Sequence, residues 1–115
     1  MTDQNPSKQK LVRAYLDATN RGDHRLLRKL VLPEFELAMG TEVVRDIADV
    51  LELRGPDHLE TSLLLEQIEA KGDTGLATIQ QRLAWKATGE PADSRSVKAR
   101  FFFFGDKIRR VELLG

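Results

Sequence analysis

The sequence contains no cysteine and only two histidines in 115 residues. Without cysteine there can be no disulfide, no thiolate nucleophile and no zinc site built on thiolates. A metal site would have to consist mainly of carboxylates, because His24 and His58 lie far apart in the sequence. The chain also lacks a glycine-rich phosphate loop, a GxSxG elbow and an HExxH motif. We therefore predict neither a metal nor another cofactor.

The sequence also lacks an excess of charge and a long apolar run. Eighteen Lys and Arg balance eighteen Asp and Glu, so the formal net charge is zero at pH 7. A nucleic-acid-binding protein usually carries a basic excess. No stretch approaches the ~18 apolar residues of a membrane helix, and the polar start MTDQNPSKQK has no apolar core of a signal peptide. These features predict a soluble cytoplasmic protein without a nucleic-acid or membrane partner.

The length of the chain predicts one domain with a single core. The polar residues 1–6 are expected to form a disordered tail, and residues 7–115 are expected to form one α+β domain. We find no internal repeat and no low-complexity segment that would divide it.

Two helical patterns open the domain and are joined by a very short turn. Ser7 is the candidate cap of the first helix, which is predicted to run to about Asn20. Gly22 then provides a left-handed turn, and Asp23 caps a second helix that Pro33 ends. Helices connected so closely are expected to pack as a hairpin with their apolar faces inward.

A short strand and a third helix are predicted next. The stretch EFELAM reads as the strand, and Thr41 is the candidate cap of the helix that follows. The apolar residues of this third pattern recur at helical and not at strand spacing: Val43, Val44, Ile47, Val50, Leu51 and Leu53.

The second half of the chain shows the alternation of antiparallel strands. Four strands are predicted, in HLETSLLLEQIEA, LATIQQRLAWKATG, SVKARFFFF and IRRVELL. KGDTG and GDK read as tight turns between them, and GEPADSR reads as a loop. Helices followed by such a meander predict an α+β fold with the helices on one face of the sheet.

The run RFFFF is the most apolar feature of the sequence. Alternation places Phe101 and Phe103 on one strand face with Val97 and Ala99, and Phe102 and Phe104 on the other. A strand that is apolar on both faces is normally covered on both. The helices provide one cover, and a second copy of the chain would provide the other, which predicts a homodimer. Alternatively, Phe104 closes the hairpin end and Phe102 lies under a loop.

Several stretches, taken in this order, resemble the nuclear-transport-factor-two-like superfamily, which includes SnoaL-like polyketide cyclases, ketosteroid isomerases and limonene epoxide hydrolases. They are YLDATNRGD (Tyr15–Asp23), LPEFEL (Leu32–Leu37), GTEVVRDI (Gly40–Ile47), IEAKGDTGLA (Ile68–Ala77) and FFFFGDKIRRVEL (Phe101–Leu113). The resemblance implies a SnoaL-like domain of the cystatin-like α+β roll type. Its curved antiparallel sheet would wrap around the N-terminal helices as a cone with a pocket at the open end. Members often dimerise through the outer sheet face.

Ketosteroid isomerases in this superfamily combine a carboxylate base with an oxyanion hole made of a tyrosine and a protonated aspartic acid. The resemblance aligns Tyr15 with that tyrosine. The base falls near Ala38 and Met39 and the second acid near Ala99, so this chain lacks both acids. A site without them cannot carry that proton shuttle. Tyr15 is then either the polar end of a pocket or a core aromatic with its hydroxyl at the rim.

The epoxide hydrolases need an Asp–Arg–Asp set inside the cone. The charged candidates for such a set are Glu36, Glu66, Arg82, Arg100 and Asp106. Alternation places both arginines opposite the faces of Trp85 and Phe101, and Asp106 lies in a turn where an aspartate is common. An intact hydrolase set is therefore not expected.

The cyclases commonly use an aspartate and a histidine that face the pocket. His58 is the only late histidine, and beside GPD it is expected to face solvent without a positioned partner. Glu36 alternates with Phe35 and Leu37, so it is also expected to face water. The catalytic residues, and whether there is catalysis at all, therefore stay open.

Two hypotheses about function follow. The first is that a small apolar or aromatic molecule binds in the pocket, with Tyr15 as hydrogen-bond donor and with Met39, Trp85, Ala99 and Phe101 as walls. A lyase, isomerase or cyclase reaction on a hydrophobic substrate stays open. The second is a non-catalytic dimerisation or scaffold module whose cone is filled by its own side chains. A cavity of ~300 Å³ or more with a buried carboxylate near Tyr15 would favour chemistry, and a packed cone would favour the scaffold.

Overall fold

Two helices precede a six-stranded sheet in a computed structural model, which describes residues 6–48 and 59–114. The elements are α1 (Pro6–Arg21), α2 (His24–Leu30), β1 (Val31–Met39), β2 (Glu42–Val44), β3 (Leu59–Lys71), β4 (Thr74–Trp85), β5 (Pro91–Phe104) and β6 (Lys107–Leu113). None of the helices in these ranges is long and apolar enough to cross a membrane.

The sheet has the strand order β2-β1-β6-β5-β4-β3. Strands β3 to β6 form an antiparallel meander, and β2 is an antiparallel hairpin partner of β1. The α+β fold with a curved sheet is confirmed. The sheet is mixed rather than wholly antiparallel, however, because β1 runs parallel to β6.

Extra residues in three strands contribute to the curvature of the sheet. The register shifts leave Glu66 in β3, Ala92 in β5 and Arg109 in β6 without a cross-strand partner. Such bulges bend a strand and increase its twist. Pro33 lies within a fourth irregularity, between Val31 and Glu36 of β1, where a residue without an N–H removes no ladder hydrogen bond.

The core lies between α1 and the concave face of the sheet. The helix contributes Val12, Tyr15, Leu16 and Ala18, all at most 5% exposed. The facing sheet residues include Phe35, Ile79, Ala99, Phe101, Phe103, Ile108 and Val111. Ile79 in β4 and Ala99, Phe101 and Phe103 in β5 lie on the strand faces that the hydrophobic pattern predicts, whereas Ile108 and Val111 share a face because the extra residue Arg109 lies between them.

The helical hairpin is confirmed, with small shifts at its ends. Gly22 adopts a φ of 65° after α1, and the Asp23 side chain accepts a hydrogen bond from the Leu26 N–H at 3.1 Å, as a cap does. The first helix begins at Pro6, so Ser7 lies inside its first turn and not at the cap. The rest of the predicted tail, residues 1–5, lies outside the described residues.

The second helix ends earlier than predicted. It stops at Leu30, before the expected terminator Pro33, because Val31 already belongs to β1 and pairs with Ile108. Val31 is 5% exposed, so its burial comes from the sheet and not from a helix face.

The predicted start of the third helix is wrong. Residues 42–44 form strand β2, in which Val43 pairs with Ala38 and Val44 with Leu37. Thr41 therefore caps no helix there. After β2, helical conformation begins at Ile47 and Ala48. The Asp46 side chain accepts a hydrogen bond from the Ala48 N–H at 2.9 Å. The remainder of the predicted helix, residues 49–53, lies outside the described residues.

The predicted loop GEPADSR is also mostly strand. The chain turns between Trp85 and Glu90, where the Trp85 N–H donates to the Glu90 carbonyl at 2.9 Å. From Pro91 onward it pairs with β4, so residues 91–95 extend β5. Proline is tolerated at the first position of a strand. Ladder pairing therefore overrides a turn-like composition, and this places Arg95 on the sheet.

The alternation within RFFFF is confirmed. Phe101 and Phe103 are 0% and 3% exposed in the core, whereas Phe104 is 68% exposed at the β5–β6 hairpin. Phe102 is half-buried on the convex face, where the Arg109 guanidinium lies 5.9 Å from its ring centroid. The predicted dimer, which would cover this convex face, stays a prediction.

Candidate functional site

A cavity of about 170 Å³ lies between α1 and the concave face of the sheet. Its lining is mostly apolar, with four polar residues apart from Tyr15. The lining residues are Tyr15, Leu16, Thr19, Asn20, Leu37, Met39, Thr61, Leu63, Ile79, Gln81, Val97, Ala99, Phe101, Val111 and Leu113. The cone is thus neither filled by its own side chains nor as large as ~300 Å³, the lower range for drug-sized ligands.

Tyr15 supplies an aromatic wall and a phenol to this cavity. Its side chain is 5% exposed, and its ring meets Phe101 edge-to-face at 5.7 Å and Phe35 at 6.1 Å between centroids. These contacts fix the orientation of the ring. A phenol is neutral at pH 7, and burial raises the pKa of the Tyr15 phenol above its ordinary value of 10.0, so the hydroxyl keeps its proton and can donate a hydrogen bond at alkaline pH as well.

The Tyr15 hydroxyl makes no hydrogen bond to any of the residues that the structure describes. In the same residues, no side-chain oxygen or nitrogen is both sealed from solvent and unpartnered. The hydroxyl therefore keeps accessible surface. Because Tyr15 lines the cavity, its hydroxyl is the candidate hydrogen-bond donor for a bound molecule.

The structure brings four of the five predicted pocket residues together. Tyr15, Met39, Ala99 and Phe101 all line the cavity. Trp85 does not: it ends β4 on the same strand face, beyond the lining, with 44% of its side chain exposed. Contrary to the prediction, Trp85 is therefore not one of the residues that line the cavity. Whether the four lining residues bind a ligand stays a prediction.

Sequence reasoning missed the polar part of the lining. Gln81 shares the face of Ile79 by simple alternation, so strand parity could have identified it. Thr61 of β3 lies opposite Leu83 of β4, on the strand face of Leu63. In the sequence Asn20 reads as part of the end of the first helix, and no local signal relates it to Leu63 of β3, which is 43 residues away.

Asn20 ties the end of α1 to the free edge of the sheet. Its side-chain amide donates to the Leu63 carbonyl at 2.9 Å, and its carbonyl accepts from the Leu63 N–H at 2.8 Å. Because β3 is the outermost strand, these two backbone groups point away from β4 and have no strand partner. The side chain of Asn20 therefore substitutes for a neighbouring strand and closes one side of the cavity.

We expect Asn20→Ala to lower the free energy of unfolding by about 1–3 kcal/mol, because it leaves two part-buried backbone groups of Leu63 without partners. Urea denaturation measures the change. Asp17→Asn, in the exposed ion pair with Arg21, is the control and should cost no more than about 0.5 kcal/mol. Equal losses in both variants would contradict the anchoring role.

The charged candidates for catalysis lie away from the cavity. None of the acidic or basic residues in the described part of the chain is among the lining residues, and none of its polar residues is fully buried. Asp106 lies in the β5–β6 turn, and the extra residue Glu66 is exposed. His58 lies outside the described residues.

Glu36 belongs to an ion-pair network on the convex face, opposite the cavity. It pairs closely with Arg110 and, at 3.4 Å, with Arg45. Arg110 also pairs with Glu112 at 3.3 Å, and Glu112 lies 3.8 Å from Arg100. The prediction that Glu36 and Arg100 face away from the core is met, but both are paired with opposite charges rather than free in water.

The same architecture occurs in solved structures of low sequence identity. A LEH-like epoxide hydrolase from M. tuberculosis superposes with a TM-score of 0.73 at 16% identity, over 98% of this chain and 81% of that one. A candidate SnoaL-like polyketide cyclase from Jannaschia sp. CCS1 gives 0.72 at 14% identity, over 99% and 90%. A candidate ketosteroid isomerase from Kribbella flavida gives 0.70 at 18% identity, over 98% and 79%.

Neither the protein-family models nor the curated proteins yield a match to this chain. The structural likeness covers nearly all of the chain, but it connects proteins described by three different chemistries, so it defines the architecture and not the reaction. The chain adopts the nuclear-transport-factor-two-like, SnoaL-like fold that the sequence resemblance predicted.

Proposed function

We propose that this domain binds a small apolar molecule, about the size of one six-membered ring, in the cavity between α1 and the sheet. The observation that carries the proposal is the cavity of about 170 Å³ with its mainly apolar lining. For comparison, an engineered apolar cavity of ~150 Å³ in another protein stays dry and binds benzene. A steroid is too large for this space, since drug-sized ligands occupy ~300 Å³ or more.

The polar groups at the cavity support binding with a preferred orientation. The accessible Tyr15 hydroxyl can donate to a carbonyl or hydroxyl of the ligand or accept from a hydroxyl. One well-placed hydrogen bond within an apolar site is the usual means of orienting a small ligand. We therefore expect phenol to bind more tightly than toluene.

Proton-transfer chemistry is not part of the proposal. The reactions suggested by the structural neighbours need a base or an acid at the substrate, and the described part of the lining contains no Asp, Glu or His. The role supported best is that of a binding domain. The second hypothesis, a filled scaffold, is weakened because the cone contains open space.

Toluene at about 100 times its dissociation constant should stabilise the wild type by ~2.7 kcal/mol, as measured by a thermal shift. Ala99→Leu should abolish this stabilisation, because Ala99 is 0% exposed and lines the cavity, so a larger side chain there occupies the ligand's space. The matched control is Ala84→Leu, on the opposite face of β4, which should leave the shift unchanged.

The preference for phenol over toluene provides a second test of the same site. Tyr15→Phe should remove the difference in affinity between phenol and toluene while the fold is retained. Folded wild-type protein that responds to neither compound would overturn the proposal. A shift that survives Ala99→Leu would show that the ligand binds elsewhere.

A further inference from the structure

Arg95 lies at the rim of the cavity, on the concave face of the sheet. It pairs across the strands with Gln81, and no register shift separates it from Val97 and Ala99, which line the cavity. Side chains two residues apart on a strand share a face. Arg95 is itself exposed, so its guanidinium lies where the apolar lining meets solvent.

One hydrogen bond holds this guanidinium against the lining. Its Nε donates to the Gln81 Oε1 at 2.9 Å. The two terminal nitrogens make no hydrogen bond or ion pair within residues 6–48 and 59–114. On the convex face, by contrast, Arg100 and Arg110 both have Glu112 as a partner. Arg95 thus combines a fixed side chain with donors that remain available.

The acid that precedes Arg95 on the same face of β5 does not neutralise its guanidinium. Asp93 lies two residues further from the cavity, opposite Leu83. Its Oδ1 accepts from the Ser94 N–H at 2.8 Å, and no ion pair joins it to Arg95 in the described structure. The rim of the cavity therefore presents a cation to a solute that enters.

We propose that the ligand is a small monocarboxylic acid, with its apolar body in the cavity and its carboxylate on the terminal nitrogens of Arg95. This inference rests on the proposed function and names its ligand class. A guanidinium presents parallel N–H donors that match the two oxygens of a carboxylate, and the hydrogen bond from Nε to Gln81 fixes the plane of this fork. In the described part of the chain, an apolar cavity with this cation at its rim selects for a molecule with one acidic end.

The test compares phenylacetate with its neutral isostere phenylacetamide by isothermal titration calorimetry. Wild-type protein should bind the acid about three- to tenfold more tightly than the amide. Arg95→Gln should remove this preference and leave the affinity for toluene unchanged. The control Arg82→Gln removes an exposed arginine from the convex face of β4 and should keep the preference. Added salt should weaken only the acid.

The outcomes separate this inference from the proposed function. If toluene binds but the acid has no advantage over the amide, or keeps its advantage in Arg95→Gln, the carboxylate assignment is wrong and the apolar site stands. If toluene, phenylacetate and phenylacetamide all fail to bind to folded protein, the proposed function itself is wrong. A preference for the acid that is lost equally in Arg82→Gln would indicate a general charge effect and would also overturn the assignment.

Discussion

Phe101→Ala should lower the free energy of unfolding by about 3–5 kcal/mol, among the largest losses that we expect from an alanine substitution in the described core. Phe101 is 0% exposed, and its ring contacts Tyr15 at 5.7 Å and Phe103 at 6.3 Å between centroids. Removing it forfeits the burial of a whole ring and both aromatic contacts. Since small domains are stable by only ~5–15 kcal/mol, this is a large share of the total.

The four consecutive phenylalanines provide the controls for this measurement. Phe103→Ala should cost nearly as much as Phe101→Ala because its ring is 3% exposed. Phe102→Ala should cost less, since this side chain is half-buried beneath Arg109, and Phe104→Ala should stay within about 0.5 kcal/mol because it is 68% exposed. Urea denaturation followed by the fluorescence of Trp85, the only tryptophan, measures all four.

This series also tests the predicted dimer. If the convex face is covered by a second copy of the chain, Phe102→Ala should cost far more than its half-buried position indicates, and the midpoint should depend on protein concentration. A small and concentration-independent loss would argue for a monomer. A loss in Phe101→Ala no larger than in Phe104→Ala would contradict the assignment of strand faces.

The strand faces of the second half could be predicted because alternation depends only on local sequence. No residue is inserted in β5 between Arg95 and Phe104, so a period of two stays in phase along the strand. The same parity places Ile79 and Gln81 on the concave face of β4. The fold class followed from the order of helical and alternating patterns.

The elements that failed are strands defined by pairing with a neighbouring strand rather than by their own composition. Val43 and Val44 fit a helix period, but β2 forms because the preceding strand β1 offers a free ladder edge. In the same way, the turn-like composition of GEPADSR gives way to pairing with β4. Short apolar or polar stretches leave periodicity ambiguous, and hydrogen bonding to the adjacent strand then decides between helix, loop and strand.

Two polar residues of the candidate site could not be predicted from local sequence. The sequence predicts a loop at Arg95, so the position of Arg95 on the concave face could not be anticipated. Asn20 reads as a helix terminator in the sequence, and its contact with Leu63 exists only in the folded chain. The apolar walls Ala99 and Phe101, by contrast, follow directly from the RFFFF alternation.

Alkaline pH should destabilise the wild type through Tyr15. The folded protein holds the phenolic proton because burial raises its pKa, whereas the unfolded chain releases it near the ordinary value of 10.0. Above pH 10 the folded state therefore binds more protons than the unfolded state. The free energy of unfolding then falls by up to about 1.4 kcal/mol for each pH unit until the folded pKa is reached, whereas below pH 10 this effect is absent.

Tyr15 is the only tyrosine, so the absorbance of tyrosinate reports its ionisation without interference from another phenol. We expect that signal to stay low above pH 10 while the protein is folded, and to rise together with the loss of Trp85 fluorescence as it unfolds. Tyr15→Phe should lose less stability over the same pH range, because phenylalanine has no phenolic proton to release. A tyrosinate signal that appears near pH 10 in folded protein would show a phenol open to bulk water, and the cavity would then lose the neutral donor on which the orientation of a ligand depends.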